Sequence, residues 1–284
     1  MRAAATGSCT RTGPSRPRPD AHYPAAMGIT VTGLATTAVK GMRLGTVDSI
    51  ELDELGARGN RAFFVIDERG AVVNSKRLGA LQTIVPAYDP AAGMLAMTFP
   101  DGATVVGEAT PGEPVMTQFT SRAEPAREVL GPWAGALSTF AGRPLRLASA
   151  ETAVDRGRLG AVSLISRASL THLAEVAEAD EVDGRRFRML IEIDGVAAHE
   201  EDRWIDCRLR AGPALLRVHG HVGRCMITTR NPDSGEVDFP TLHALSAYRR
   251  RLDTTEPLAF GVYGAVLEGG TVRLGDPVEL VEGR

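Results

Sequence analysis

Cysteine is scarce in this chain: the 284 residues contain three, Cys9, Cys207 and Cys225. Three widely spaced cysteines exclude a disulfide framework and a zinc cluster of paired cysteines. They also exclude an iron–sulfur cluster of the plant type, which needs four cysteine ligands. A reducing compartment is therefore expected, and we predict a cytoplasmic protein.

Long apolar runs and an excess of one charge are also lacking. No stretch approaches the roughly 20 strongly apolar residues that span a bilayer, so we expect no membrane association. The 32 basic and 35 acidic residues leave a formal net charge of −3, which argues against nucleic acid as a partner. The glycines form neither a G-x-G-x-x-G nor a P-loop motif, so these nucleotide sites are not supported.

The first 26 residues differ in composition from the rest. They hold four arginines against one aspartate, a local charge of +3, together with four prolines and no periodic apolar pattern. They lack the apolar central segment of a secretory signal. We therefore expect residues 1–26, which include Cys9, to be a disordered extension.

The region after this extension has the pattern of a β-rich domain or barrel, because short apolar runs alternate with glycine-rich turns. Around residues 123–142 the apolar period changes and predicts a helix interrupted near Pro132. Three prolines cluster between residues 110 and 127, so a domain junction is expected there. We predict an N-terminal domain over residues 27–120 and a C-terminal domain over residues 121–284.

The second half alternates predicted strands with predicted helices. Ser166 is expected to cap a helix that buries Leu170 and Leu173. Residues 226–229 and 259–267 are expected to be strands. The predicted fold class is therefore mixed α/β, with β-structure dominant.

A possible metal site lies in the segment His219-Gly-His-Val-Gly-Arg-Cys225. In a continuous strand, the two-residue period would bring His219, His221 and Cys225 to one face, where they could ligate a soft metal ion. Gly220 and Gly223 argue against a continuous strand, and no fourth ligand has a recognisable spacing. Two histidines on a half-exposed strand are the simpler interpretation.

Cys225 itself has two interpretations. A free cysteine is usually a buried, unreactive small apolar residue. However, Arg224 precedes Cys225, and an adjacent cation favours the thiolate, the form that ligates a metal. Cys207, beside a strand-like stretch, is expected to be structural.

Several basic residues lie where the chain is expected to turn. Each one alone is typical of a solvated surface charge. Together they could line a single pocket for an anion, because arginine donates paired hydrogen bonds to phosphate. These residues are Lys40, Arg61, Lys76, Arg77, Arg185, Arg186 and Arg188.

An ordered set of motifs resembles a known family, the MOSC domain. The motifs are R-F-R from Arg186, E-D-R-W from Glu201, G-R-C-M-I-T-T from Gly223, P-D-S-G from Pro232, F-G-V-Y from Phe260 and V-R-L-G-D from Val272. This domain forms the C-terminal part of molybdenum cofactor sulfurases and of the amidoxime-reducing proteins. Upstream, V-T-G-L from Val31, A-V-K-G from Ala38 and G-N-R-A-F from Gly59 resemble the N-terminal β-barrel domain that accompanies it.

The resemblance implies a molybdenum cofactor, a molybdopterin that carries a phosphate, held between the two domains. Cys225 matches the cysteine whose thiolate ligates molybdenum, and Tyr263 matches a residue near the metal. Lys40, Arg61 and Arg188 match cations that bind the phosphate, and Ser166 and Ser169 match a cofactor-contacting turn. The cofactor-binding residues implied in this way are Lys40, Arg61, Ser166, Ser169, Arg188 and Arg224.

The chain departs from the family pattern at three places. The family's Lys-Ser is Lys40-Gly41, which lacks the hydroxyl. Its Asp-Arg is Asn60-Arg61, and its Arg-Pro-Asn is Arg188-Met189-Leu190, which lacks an amide side chain.

The resemblance implies an oxidoreductase that removes an oxygen atom from an N-hydroxylated small-molecule substrate at molybdenum ligated by Cys225. One alternative is a sulfur carrier that holds a persulfide on Cys225 for delivery to a partner or to the cofactor. A second is a binding module that has lost the activity. From the cysteine count and the length we expect neither a four-cysteine ferredoxin domain nor a desulfurase domain. The expected partner is therefore a separate electron-donor protein of the ferredoxin or flavoprotein type, or a sulfur donor.

Overall fold

The computed structural model describes residues 28–119, 123–150 and 156–281. The predicted extension over residues 1–26 and its Cys9 lie outside these ranges. Strands dominate the described residues, which confirms the predicted mixed, β-dominated fold class.

The described strands follow the chain in short segments. They are β1 Thr30–Thr36, β2 Val39–Lys40, β3 Gly45–Thr46, β4 Ser49–Asp53, β5 Gly56–Ala57, β6 Phe63–Asp67, β7 Val72–Val73, β8 Val85–Asp89, β9 Met94–Thr98, β10 Thr104–Glu108, β11 Thr110–Gln118, β12 Ala123–Leu130, β13 Leu145–Ser149, β14 Val162–Ser166, β15 Ile191–Asp194, β16 Arg208–Ala211, β17 Ala214–Gly223, β18 Ala259–Glu268, β19 Gly270–Arg273 and β20 Val278–Val281.

The described helices are fewer. The α-helices are α1 Trp133–Ala141, α2 Arg167–Val176 and α3 Thr241–Arg249. Short 3₁₀ helices occupy Gly79–Thr83, Gly157–Gly160, Gly184–Phe187, Glu200–Trp204 and Met226–Thr229.

The largest sheet has eight strands in the order β20-β16-β17-β18-β14-β15-β1-β3. β14 and β15 are parallel neighbours, and β1 pairs with β15 in the antiparallel direction. The register places Ile191 of β15 opposite both Leu34 of β1 and Leu164 of β14. Apolar side chains that alternate along these strands pack with Trp204 into one core.

The second sheet has the order β11-β12-β13-β6-β2, with β7 paired to β6. Helix α1 covers it and buries Trp133 and Leu137 against Val65 and Leu147. Two smaller sheets have the orders β10-β9-β8 and β19-β4-β5.

Strands from both sides of residue 120 share the sheets. β1 and β3 extend a sheet whose other members come from residues 162–281, and β4 pairs with β19. β13, from residues 145–149, pairs with β6. The division at residues 120 and 121 stays a prediction, and the two halves of the chain are joined by backbone hydrogen bonds.

The three prolines between residues 110 and 127 lie in paired strands, and the domain junction expected there stays a prediction. β11 pairs antiparallel with β12 from Thr110 opposite Leu130 to Gln118 opposite Ala123. β11 is an edge strand with a register shift between Pro111 and Pro114, and an edge tolerates proline because its outer amides need no partner.

Two predictions of secondary structure were wrong in detail. The helix expected over residues 123–142 covers only residues 133–141, because Val129 is 3% exposed and Leu130 52% exposed, the alternation of a strand. Met226–Thr229 is a 3₁₀ turn, not a strand. Its two threonine hydroxyls donate to carbonyls three residues earlier, which stabilises the turn.

In the described part of the chain, no helix combines the length and apolar character needed to cross a bilayer.

We predict that Ile191→Ala lowers the free energy of unfolding by about 2–5 kcal/mol, because it leaves a cavity at the centre of the largest sheet. Ile191 is fully buried. Urea denaturation followed by circular dichroism measures the loss. Leu267→Ala is the control, since Leu267 on β18 is 46% exposed, and it should change stability by about 0.5 kcal/mol or less. Equal losses in the two variants would contradict this description of the core.

Candidate functional site

A cavity of about 400 Å³ opens where the two halves of the chain meet. Its volume lies within the range of about 300–1,000 Å³ that small-molecule and cofactor sites occupy. The end of β2 and the stretch before β6 line one side, and the loops after β17 and before β15 line the other. The cavity brings together six of the eight predicted site residues: Lys40, Arg61, Arg188, Arg224, Cys225 and Tyr263.

Arg61 and Arg188 both adopt the left-handed backbone conformation, with φ of 53° and 55°. This conformation costs a residue with a Cβ atom roughly 1–2 kcal/mol, and such strain clusters at functional sites. Arg61 donates from Nη2 to the Arg188 carbonyl at 2.8 Å, and Arg188 donates from Nη2 to the Met42 carbonyl at 2.6 Å. The two strained residues therefore hold two cations on adjoining walls of the cavity.

Burial lowers the pKa of three arginines in the cavity. It lowers the pKa of Arg61 to about 10. Burial, followed by the nearby charge of Arg61, lowers the pKa of Arg188 to about 9. Burial also lowers the pKa of Arg224 to about 9. All three remain charged near neutral pH, so the cavity has a strongly positive wall.

Two of these cations, Arg188 and Arg224, donate their hydrogen bonds to neutral acceptors. In the described residues, the hydrogen bonds of Arg188 and Arg224 go to carbonyl oxygens and a thioether sulfur, not to carboxylates. A buried cation is costly unless an opposite charge compensates it. The cavity is therefore suited to an anionic ligand.

Cys225 lies on an ordered turn directly after β17, and its side chain is exposed. Its carbonyl accepts hydrogen bonds from the Thr228 amide at 3.1 Å and the Thr228 hydroxyl at 2.9 Å. The preceding Arg224 donates from Nε to the Phe260 carbonyl at 2.8 Å and from Nη1 to the Phe187 carbonyl at 2.9 Å. Arg224 thus fixes the backbone that presents the thiol. The structure places Cys225 in the accessible position expected of a ligand and not in an apolar core.

Tyr263 is oriented by a residue that sequence reasoning missed, Arg156. The Arg156 guanidinium carbon lies 4.3 Å from the centre of the Tyr263 ring. Arg156 also forms an ion pair with Glu256, with Nη2 and Oε2 3.0 Å apart. Glu256 in turn accepts the Gly223 amide at 3.0 Å. These contacts connect the tyrosine to the strand that leads to Cys225.

Gly220 pairs with Tyr263 across β17 and β18, and steric crowding explains why a glycine occupies this position. A Cβ atom at Gly220 would lie 2.8 Å from the Tyr263 hydroxyl and 3.0 Å from the Thr255 hydroxyl. Gly220 therefore reflects close packing against Tyr263 and Thr255 as well as a break in the strand pattern.

Ser166 and Ser169 do not line the cavity, contrary to the expectation from their motif. Ser166 caps α2 as predicted, because its Oγ accepts the Ser169 amide at 3.2 Å. Both serines are fully buried, and their hydroxyls donate to the Glu201 carboxylate at 2.9 and 2.8 Å. The helix start that was expected to receive a cofactor anion is thus occupied by a carboxylate of the chain itself.

His199 is a half-buried residue that does not line the cavity. Its ring packs against Tyr248 and Phe260, with centroid distances of 5.5 and 5.7 Å. Both ring nitrogens are buried and have no hydrogen-bond partner in the described residues. Burial, and then the nearby charge of Arg249, lowers the pKa of His199 to about 4. The ring is therefore neutral at pH 7.

The alternative metal site is not assembled. Register shifts between Val218 and Gly220 and between His221 and Gly223 break the alternation on which it depended. His221 is buried, with Nδ1 3.2 Å from the Thr255 hydroxyl, whereas Cys225 is exposed. Across the described ranges, no three His, Cys, Asp or Glu side chains are grouped to hold a metal ion.

Two protein-family models match the chain. The model of the MOSC domain matches residues 152–279, and the model of the MOSC N-terminal beta barrel domain matches residues 28–129. The two matches together cover most of the chain.

Curated proteins with similar sequences carry names from one group. Mitochondrial amidoxime reducing component 2 of Rattus norvegicus is 36% identical over 124 residues, which are 41% of this chain and 36% of that protein. Mitochondrial amidoxime-reducing component 1 of Homo sapiens is 34% identical over 125 residues, which are 42% of this chain and 36% of that protein. The matched stretch spans about a third of the length of these relatives.

A solved structure, the YUAD protein from Bacillus subtilis, is similar with a TM-score of 0.45 and 10% sequence identity, covering 91% of this chain and 98% of that chain.

We predict that the protein loses stability as the pH falls from about 6.5 towards 4, and that His199→Phe removes part of this loss. The folded-state pKa of His199, about 4, is below the ordinary value of 6.5. In this window the unfolded state binds more protons than the folded state, so acid favours unfolding, by at most about 3 kcal/mol for this residue.

Urea denaturation at several pH values between 4 and 8 measures the effect. His243→Gln, on the exposed side of α3, is the control and should leave the pH dependence unchanged. A pH profile of His199→Phe that superimposes on the wild-type profile would rule out this role.

Proposed function

The chain belongs to the family of MOSC-domain proteins that carry a MOSC N-terminal beta barrel domain, and on this premise we propose that it binds a molybdenum cofactor in the cavity. We propose further that it is an oxidoreductase that reduces N-hydroxylated small molecules. The observation that carries the proposal is the convergence of an exposed thiol, Cys225, with buried cations in one cavity.

The side chains of the cavity fit this group chemically. A thiolate is a soft ligand suited to a late or redox-active metal ion. The arginines offer paired donors for a phosphate, and Lys40 adds a point charge. The absence of carboxylate partners for Arg188 in the described residues leaves its charge to be balanced by a ligand.

Each residue has a proposed task. Cys225 ligates the metal, and Arg224 holds the turn that presents its thiol. Lys40, Arg61 and Arg188 bind the phosphate end, and Tyr263, held by Arg156, borders the metal end of the cavity. Ser166 and Ser169 have no part in this proposal, because Glu201 uses their hydroxyls.

When bound, the cofactor supplies the two-electron redox centre at which the oxygen atom is removed from the substrate. The overall change breaks the N–O bond, takes up two electrons and two protons, and releases the amine-type product and water. A separate electron-donor protein of the ferredoxin or flavoprotein type provides the electrons. The domains over residues 27–120 and 121–284 provide the two walls.

A sulfur carrier is the second candidate, because the Cys225 side chain is exposed on a fixed turn. In this function the thiol holds a persulfide received from a sulfur donor, and no metal is required. Because an exposed thiol suits both functions, the element bound by the protein, molybdenum or persulfide sulfur, distinguishes the two candidates.

Elemental analysis of the purified protein tests the proposal. We predict about one molybdenum per chain and a loss of at least about tenfold in molybdenum content in Cys225→Ser, since a hydroxyl is a harder and weaker ligand for this metal. Met226→Leu, the neighbouring exposed residue, is the matched control and should retain the metal.

Two results would contradict the oxidoreductase. A metal-free protein that releases sulfur to cyanide, and loses this sulfur in Cys225→Ser, supports the carrier. Stoichiometric zinc without molybdenum contradicts both functions.

A further inference from the structure

Ser75 is a fully buried serine in the wall of the cavity. Its Oγ is buried and has no hydrogen-bond partner in the described residues. Of the buried side-chain atoms without a partner there, this is the one that belongs to a cavity-lining residue. Buried hydroxyls in native proteins are almost always satisfied, so a group of this kind calls for a partner outside the chain.

The backbone around Ser75 is held in a fixed turn directly after β7. The Asn74 carbonyl accepts the amides of Arg77 and Leu78 at 2.9 and 3.0 Å, and its Oδ1 accepts the Lys76 amide at 3.0 Å. The hydroxyl of Ser75 therefore starts from an ordered position.

This turn packs against the segment that carries the cations. Gly41 has a φ of 89°, and a Cβ atom there would lie 3.0 Å from the Ser75 amide nitrogen and 3.2 Å from the Asn74 Cα. Lys40 precedes this glycine, and the carbonyl of the next residue, Met42, binds the Arg188 guanidinium at 2.6 Å. One hydroxyl, one ammonium and one guanidinium thus belong to the same end of the cavity.

We infer that Ser75 is a ligand-binding residue that donates a hydrogen bond from Oγ to an oxygen of a phosphate group at this end of the cavity. Arg188 has donors only, and its Nη2 donates to a neutral carbonyl, so the partner that would balance its charge has acceptor oxygens and negative charge. The inference rests on the proposed function and deepens it, because the molybdopterin carries a phosphate.

Ser75→Ala tests the inference with inorganic phosphate as the probe. The variant should weaken phosphate binding about tenfold or more, as expected for the loss of a hydrogen bond to a charged group. The melting temperature of the phosphate-free protein should stay the same or rise, because the hydroxyl has no protein partner to lose. Titration followed by thermal shift measures both quantities in one experiment.

Thr32→Val is the matched control. The Thr32 hydroxyl on β1 is also buried without a partner in the described residues, but Thr32 does not line the cavity. Its loss should leave phosphate binding unchanged. A dissociation constant for Ser75→Ala within twofold of the wild type overturns the inference, and so does a fall in its phosphate-free melting temperature.

Failure of this inference can be distinguished from failure of the proposed function. A protein without molybdenum that binds phosphate through Ser75 contradicts the oxidoreductase and retains the inference. A protein that binds molybdenum, but whose cofactor-free form binds phosphate equally well with and without the Ser75 hydroxyl, retains the function and loses the inference.

Discussion

The buried guanidinium of Arg188 is the interaction on which the cavity depends. Its Nη2 binds the carbonyl of Met42, and its own carbonyl accepts the guanidinium of Arg61, so one residue connects early and late segments of the chain. Backbone carbonyls offset only part of the cost of burying a charge. The contact that joins the two walls therefore also leaves a buried positive charge on Arg188, which favours an anion between the walls.

Other contacts keep these walls at a fixed separation. The Gln82 side chain donates to the Asn231 carbonyl at 2.8 Å, and Arg43 donates to the Asp233 carbonyl at 2.6 Å. β1 adds a ladder of backbone hydrogen bonds with β15. A cavity whose walls are tied in several places loses little conformational entropy when a ligand binds, which favours tight binding of a small anionic group.

Of the seven basic residues that could line one pocket, Lys40, Arg61, Arg186 and Arg188 line the cavity, whereas Lys76, Arg77 and Arg185 do not. The sequence was ambiguous where one local pattern is compatible with two structures. The helix start at Ser166 suits an anion, and the sequence does not reveal that Glu201, distant in the chain, fills that role. The prolines near residue 114 indicate a break, but an edge strand accommodates them equally well. Arg156 and Ser75 belong to no motif: Arg156 precedes the 3₁₀ helix Gly157–Gly160 and Ser75 follows β7, and only the tertiary fold brings both to the wall of the cavity.

The three departures from the family pattern have different physical consequences. Asn60 keeps an acceptor, since its Oδ1 takes the Thr37 amide at 3.0 Å, but it removes a negative charge beside Arg61. Gly41 removes a hydroxyl where Ser75 approaches closely. Met189 and Leu190 are buried, and Met189 Sδ lies 3.0 Å from Arg224 Nη2, so this change replaces a polar side chain by packing against the arginine that holds Cys225. The first two changes preserve or strengthen the attraction for an anion, whereas the third alters the wall beside the thiol. The departures therefore change the wall beside Cys225 more than the cationic end of the cavity.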